Sequence, residues 1–163
     1  MAWDSKVVWS EGLFLQPQHF QQNDRYVESL VGGLAGSLTP HAWGVSEITI
    51  DEELLRLGKF AVKTVSGLTP DGALFRVPAA ESHPPSMDVP DNVKNTVVYL
   101  TAPTRRHGAT EVDMSGAEKS AARFAPSEIE ITNAVGNQKT PTTLAVAKLR
   151  LEFALEMDDM SDR

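Results

Sequence analysis

The chain has 163 residues, of which 15 are Lys or Arg and 22 are Asp or Glu, so its formal net charge is −7. The length suits one domain, and a content of 41% hydrophobic and 23% charged residues excludes an acidic disordered tail or a collagen-like fibre. The acidic balance argues against a nucleic-acid binder, whose affinity depends on Lys and Arg that face phosphates.

The first 16 residues are predicted to form an apolar arm. Large apolar side chains are dense here, and two of the three tryptophans of the chain, Trp3 and Trp9, are among them. One interpretation places the arm as an edge strand in the core of a β-sandwich. The other places it against a second protein, because interfaces are enriched in Trp and Phe. Both hold if alternate residues of a strand face opposite ways.

A helix is predicted over residues 17–38. Pro17 suits the first helical position, where its missing N–H costs nothing. Gly32, Gly33 and Gly36 each weaken the second half by about 1 kcal/mol relative to Ala, so this half either frays or packs very closely against a neighbour. One apolar stripe follows the 3–4 spacing of a helix and consists of Phe20, Val27, Leu30, Val31, Leu34 and Leu38.

The apolar pattern changes to period two after Pro40, which predicts an antiparallel β-sandwich over residues 43–156 with five or six short strands. The Pro70-Asp71-Gly72 turn indicates a hairpin between strands at 59–66 and 73–77. Residues 51–58 suit either a helical turn or a loop. Further strands are predicted at 45–50, 96–102, 128–132 and 148–156, of which the last alternates most regularly. Residues 79–92 and 103–120 are predicted to be loops, and residues 157–163 an acidic tail.

No motif for catalysis, phosphate binding or metal binding is present. The absence of cysteine excludes disulfides, thiolate metal sites and cysteine nucleophiles, and it fits the cytosol. The four histidines lie in four different segments, and the carboxylate pairs are adjacent in sequence, so neither set is expected to converge on a ligand. We therefore expect no catalytic residues, no metal ligands and no cofactor. The N-terminus lacks the pattern of a secretory signal, and no segment is apolar enough for a membrane span.

The most distinctive stretch, residues 6–26, resembles the N-terminal signature of the TssK family of type VI secretion baseplate proteins, also called ImpJ or VasE. The signature reads W-x-x-G-x-x-L-x-P-Q-H-F-Q. The matching residues are Trp9, Gly12, Leu15, Pro17, Gln18, His19, Phe20 and Gln21.

The resemblance implies a bacterial structural protein that works in the cytoplasm, at the inner face of the inner membrane. Family members have a phage-like β-sandwich shoulder that attaches to the TssF/TssG wedge, a neck that forms trimers with other TssK subunits, and a head that contacts TssJ, TssL and TssM. The chain looks like a single shoulder domain over 1–163, with neck and head absent. It is then expected to keep wedge binding, to be monomeric alone, and to have no nucleic-acid partner and no direct membrane insertion.

These observations favour a structural adaptor rather than an enzyme. The predicted partner-binding residues are those of the arm and the first helical turn, namely Trp3, Val8, Trp9, Leu13, Phe14, Leu15 and His19. The alternative is a small carbohydrate-binding or hydrolytic β-sandwich, which requires two carboxylates that converge within about 10 Å in a cleft. A third possibility is a metal-binding domain.

Overall fold

The structure is a computed structural model that describes residues 4–90, 92–115, 117, 120–135, 140–156 and 158–161. Two helices and nine strands lie within these ranges. In chain order they are α1 (Pro17–Leu38), β1 (Gly44–Ile50), α2 (Glu52–Arg56), β2 (Lys59–Phe60), β3 (Val62–Leu68), β4 (Leu74–Val77), β5 (Met87–Asp88), β6 (Val98–Thr101), β7 (Phe124–Thr132), β8 (Pro141–Leu149) and β9 (Glu152–Leu155).

The predicted class, mainly β with antiparallel sheets and one long N-terminal helix, is confirmed. One sheet has three strands in the order β1-β3-β4, and the pairs β2-β5, β6-β9 and β7-β8 form two-stranded antiparallel sheets. Helix α1 spans Pro17–Leu38 as the sequence predicts. The segment after β1 takes the helical alternative, because the Asp51 carboxylate accepts the N–H groups of Glu53 and Leu54 and caps α2.

Contacts divide the chain into two compact units. The first contains Met1–Ser46 and Gly67–Leu74, which are the arm, helix α1 and the tip of the β3–β4 hairpin. In this tip the Thr69 N–H donates to the Ala73 carbonyl at 2.9 Å, and Gly72 has a φ of +86°, which favours glycine. A Cβ on Gly72 would lie 3.8 Å from the Gly32 Cα, so the turn sits against the second half of α1.

The second unit contains Glu47–Ser66 and Phe75–Arg163, and it holds the core. Here the Phe60 and Phe153 rings meet edge to face with centroids 4.9 Å apart. The buried Glu81 carboxylate accepts the Leu149 N–H at 2.6 Å, and burial raises the pKa of Glu81. The buried hydrophobic residues of the described ranges are Ala61, Val62, Val65, Phe75, Val77, Ala122, Leu149, Leu151, Ala154 and Leu155.

The predicted strand at 148–156 is wrong as a single element. Strand β8 ends at Leu149, which pairs with Phe124 of β7, and β9 begins at Glu152 and pairs with Thr101 of β6. Between them the Arg150 N–H donates to the Arg123 carbonyl at 3.0 Å. The chain thus changes its partner strand between β8 and β9. The period-two pattern of the sequence continues through this change, because Leu149, Leu151 and Leu155 are all buried.

The β7–β8 pair is a ribbon of two nine-residue strands. At its base the Leu149 side chain is buried, whereas Ile129, Ile131 and Leu144 farther along are exposed. Pairing of Ile129 with Leu144 places these apolar side chains on one face, and pairing of Glu128 with Ala145 places the acidic side chains on the other. The prediction recovered only the 128–132 part of β7, and β8 up to residue 147 was not predicted as a strand.

Candidate partner-binding surface

The arm reverses direction at the turn Ser10–Leu13. The Leu13 N–H donates to the Ser10 carbonyl at 3.2 Å, and Gly12 has a φ of +79°. This is the third position of a β-turn, where a positive φ selects glycine. The glycine of the family signature is therefore explained by the turn that sends residues 4–9 back beside helix α1.

Three contacts attach the returning arm to α1. The Gln22 side-chain amide donates to the Ser5 carbonyl at 2.8 Å. The Ser29 hydroxyl donates to the Asp4 carboxylate at 2.7 Å, and this bond is the main reason that the pKa of Asp4 lies below its ordinary value. The Trp9 ring lies 6.3 Å from the His19 ring and 6.4 Å from the Phe20 ring, measured between centroids. The arm therefore runs antiparallel to the helix.

The start of α1 is held by the signature residues themselves. The Gln16 N–H donates to Nδ1 of His19 at 3.1 Å, and the His19 N–H donates to the Gln16 carbonyl at 3.0 Å. A helix start leaves its first backbone N–H groups without acceptors inside the helix. Pro17 at the first helical position has no N–H, and the two bonds provide acceptors for the N–H groups of Gln16 and His19. The His19 side chain thus stabilises the helix and also forms the surface on which Trp9 lies.

The seven predicted binding residues divide into three sets. Trp3 lies outside the described residues. Leu13 and His19 are half-buried, and Trp9, although about half exposed, packs on the helix. The side chains that project outward are those of Val8, Phe14 and Leu15, with Val8 81% and Phe14 83% exposed.

The described part of the arm, residues 4–16, contains no strand, so the interpretation as an edge strand of a sandwich is wrong there. The arm packs on a helix instead, and it leaves several large apolar groups uncovered. Exposed Phe, Val and Leu side chains in one segment are the composition of a protein-binding surface.

The apolar stripe on α1 is a second exposed apolar set, to which the sequence prediction assigns no binding role. No residue of the helix is buried, and the stripe residues Phe20, Val27, Leu30, Val31, Leu34 and Leu38 are all exposed. The 3–4 spacing that reveals the stripe is the same whether the stripe faces a core or a partner. The spacing therefore cannot distinguish the two.

The second unit has a shallow groove. It is lined by Ile48, Thr49, Ile50, Glu52, Leu55 and Arg56. Its carboxylate, Glu52, forms an ion pair with Arg56 at 3.4 Å. The groove therefore lacks the two converging carboxylates that glycoside hydrolysis uses.

Metal ligation and membrane spanning find no support in the described ranges. These ranges contain no group of three or more His, Cys, Asp or Glu residues arranged to hold a metal ion. They also contain no helix with the length and apolar character to cross a bilayer.

The family of the chain is decided by a match over residues 19–163 to the family model described as Bacterial Type VI secretion, VC_A0110, EvfL, ImpJ, VasE. The chain belongs to this family. It is 39% identical over 153 residues to the type VI secretion system baseplate component TssK1 of Pseudomonas aeruginosa, and the match covers 93% of the chain but 34% of TssK1. The chain thus spans about a third of that relative.

Solved structures of family proteins have the same fold. A crystal structure of TssK superposes with a TM-score of 0.88 at 33% identity, over 98% of this chain and 36% of that one. TssK in the cryo-electron microscopy structure of the TssK-TssF-TssG baseplate subcomplex gives a TM-score of 0.87 at 22% identity, over 98% of this chain and 53% of that one. The second likeness concerns the fold alone.

Proposed function

We propose that this chain is the part of a type VI secretion baseplate subunit that attaches the subunit to a wedge of TssF and TssG. The observation that carries the proposal is the arm, which is fixed on α1 by Trp9 and leaves Val8 and Phe14 more than four-fifths exposed. Support also comes from the family of the chain and from a fold shared with the TssK of a TssK-TssF-TssG subcomplex.

The attachment works by surface burial rather than by chemistry. An arm that is already bonded to α1 through Asp4 and Ser5 loses little conformational entropy on binding. The outward Phe14 then serves as an aromatic anchor, the kind of residue that dominates binding energy in interfaces. Contact with further copies of the subunit, and a location on the cytoplasmic side of the inner membrane, belong to the same proposal.

Binding of purified TssF–TssG complex to the protein tests the proposal. We expect Phe14→Ala and Val8→Ala each to weaken binding, with a loss of about tenfold or more for Phe14, since an anchor is worth at least about 1.4 kcal/mol. Both side chains are exposed, so thermal unfolding should be unchanged.

Val135→Ala is the matched control, because Val135 is a valine with 82% exposure against 81% for Val8, and it lies in the other unit. If both arm variants unfold as the parent does and bind TssF–TssG with the parent's affinity, the arm is not the attachment site. Equal weakening by Val135→Ala would point to a general loss of apolar surface and would also contradict the proposal.

A further inference from the structure

The hydrogen bonds at the base of the β7–β8 ribbon show which way its outer backbone groups point. The Leu149 N–H donates to the Glu81 carboxylate, and the N–H of its pairing partner Phe124 donates to the Glu111 carbonyl. Both N–H groups therefore point away from the ribbon. In an antiparallel pair this orientation recurs at every second residue. Each strand thus has an outer edge formed by the backbone groups of alternate residues.

The outer edge of β7 is protected against pairing with another strand, whereas that of β8 is not. On β7 the outward positions include Pro126, which has no N–H to donate, and the exposed acidic residues Glu128 and Glu130. Proline and charge are common means by which proteins prevent a strand edge from pairing. On β8 no described group bonds to the outward N–H and carbonyl groups. These exposed positions, which we call the β8 edge, are Thr143, Ala145 and Ala147.

The side chains of β8 limit which strand can pair with this edge. Leu144 and Val146 lie on the apolar face of the ribbon, and the small uncharged side chains of the β8 edge lie on the other face. A pairing strand must therefore place apolar side chains beside Leu144 and Val146. It must also place small or uncharged side chains beside the β8 edge. Strand β8 meets both requirements itself, because it contains one charged residue, Lys148, and that residue lies at its base.

We infer that the β8 edge pairs antiparallel with the β8 edge of a second copy of this chain, with a two-fold axis at Ala145. The outward groups of Ala145 then bond to those of the same residue in the second copy, and no like charges face each other across the two strands. The two ribbons form one sheet of four strands with a continuous apolar face. The facing pairs are Leu144 with Val146, Thr143 with Ala147, and Thr142 with Lys148.

This contact differs from the other contacts expected of the family. A two-fold contact joins copies in pairs, whereas a neck that forms trimers joins them around a three-fold axis. The ribbon also belongs to a different unit from the arm, so the contact does not depend on the proposed attachment to TssF and TssG. One strand pairing buries less than the roughly 800 Å² per partner of stable complexes, so we expect it to form at high protein concentration.

Disulfide trapping tests the inference, and the absence of native cysteine leaves no background. Ala145→Cys places one thiol of each copy on facing residues, whose Cα atoms lie about 5.5 Å apart and within the span of a disulfide. Mild oxidation at high protein concentration should therefore give a covalent dimer on a non-reducing gel. Glu128→Cys is the matched control, because Glu128 is the exposed partner of Ala145 on β7. Its two copies would lie three strand spacings apart, about 14 Å, and should not bridge.

The register is tested with two further cysteine variants. Thr143→Cys and Ala147→Cys should each remain monomeric alone, since two copies of either residue lie about 14 Å apart along the strands. A mixture of the two should give a dimer, because these residues face each other. Absence of the Ala145→Cys dimer, or an equal yield from Glu128→Cys, overturns the inference. A yield from Thr143→Cys alone that equals that of the mixture contradicts the two-fold axis at Ala145.

Charge at the axis gives a second readout. Ala145→Lys, added to both members of the Thr143→Cys and Ala147→Cys mixture, places like charges directly opposite each other and should lower the dimer yield about tenfold. Ala145→Lys in one member and Ala145→Glu in the other should restore the yield. Position 145 is exposed, so thermal unfolding of each variant should match that of the parent. A dimer yield that is the same for the Lys–Lys and Lys–Glu mixtures contradicts the inference.

Discussion

The Trp9 indole lies against the His19 imidazole with ring centroids 6.3 Å apart and planes inclined by 39°. The same imidazole accepts the Gln16 N–H through Nδ1. One side chain therefore connects the start of the helix to the arm that returns beside it. A signature that contains Trp, Gly, Pro and His at fixed spacing is explained by this single local structure.

Two substitutions of His19 separate its hydrogen bond with Gln16 from its contact with Trp9. His19→Ala removes the acceptor for Gln16 and should lower the free energy of unfolding by about 1 kcal/mol, the usual worth of a helix-capping bond. His19→Gln keeps an acceptor at the third helical position, as in a capping box, and should recover most of the loss. Urea denaturation of the three proteins measures the difference. Equal stability of His19→Ala and the parent would mean that the bond contributes nothing.

The glycines of α1 are expected to lower its stability. A Cβ at Gly33 or Gly36 would have no heavy atom within 4 Å outside the helix's own backbone. Gly33→Ala and Gly36→Ala should therefore each raise the free energy of unfolding by about 0.5–1 kcal/mol. Gly72→Ala is the contrasting variant, because a φ of +86° strains alanine, and it should destabilise. Destabilisation by Gly36→Ala, measured by thermal melting, would contradict the open surroundings of this residue.

The buried Glu81 makes stability depend on pH. Burial raises the pKa of this carboxyl above its ordinary 4.5, so the folded chain holds the proton more tightly than the unfolded chain. The contribution of Glu81 to stability is thus complete below pH 4.5 and is lost as pH rises through the raised pKa. Glu81→Gln keeps an acceptor for the Leu149 N–H and cannot ionise.

We therefore expect Glu81→Gln to unfold at a higher temperature than the parent at pH 7, and the advantage to shrink as the pH falls to 4. Glu128→Gln, at an exposed position of β7, is the control and should follow the parent at both values. An advantage of Glu81→Gln that is the same at pH 4 and pH 7 would exclude ionisation as its cause.

The pKa of Asp113 is shifted in the opposite direction to that of Glu81. Hydrogen bonds from the Ser115 hydroxyl, the Ser120 hydroxyl and the Ser115 N–H lower the pKa of this carboxyl from 3.8 to about 2. Its stabilising effect is present above pH 3.8 and is lost as the pH falls toward 2. Asp113→Asn should lower the melting temperature at pH 7 but not at pH 2. In a carboxyl titration followed by NMR, Ser115→Ala should return the pKa of Asp113 toward 3.8, and an unchanged midpoint would contradict this account.

Local signals in the sequence account for the parts of the fold that were predicted correctly. Pro17 marks the first residue of α1, and Pro70-Asp71-Gly72 marks the hairpin turn, because each sets the backbone through its own covalent structure. Strand ends depend on partners far away in the chain. Leu149 and Leu151 continue one alternating pattern, yet Leu149 ends β8, and Leu151 lies in the break before β9 begins at Glu152.

The candidate site was predictable in composition but not in geometry. The density of Trp, Phe and Leu marks the arm as a contact segment, and Gly12 explains its reversal once the turn is seen. The arm returns along α1 because of side-chain hydrogen bonds such as that from Ser29 to Asp4. Each of these side chains has many possible partners in the sequence. For this reason the sequence predicts either a sandwich edge or an interface for the arm, and it does not predict the packing of the arm on the helix.

The β7–β8 ribbon has a buried base and an exposed outer part, which has a consequence for its dynamics. Amide protons near Leu149 exchange with solvent only when the core opens. Amide protons near Ile131 exchange as soon as the two strands separate locally. Two strands alone are marginally stable in water. Hydrogen-exchange protection should therefore decline stepwise along the ribbon, so that its outer half opens and closes many times during the lifetime of the folded core.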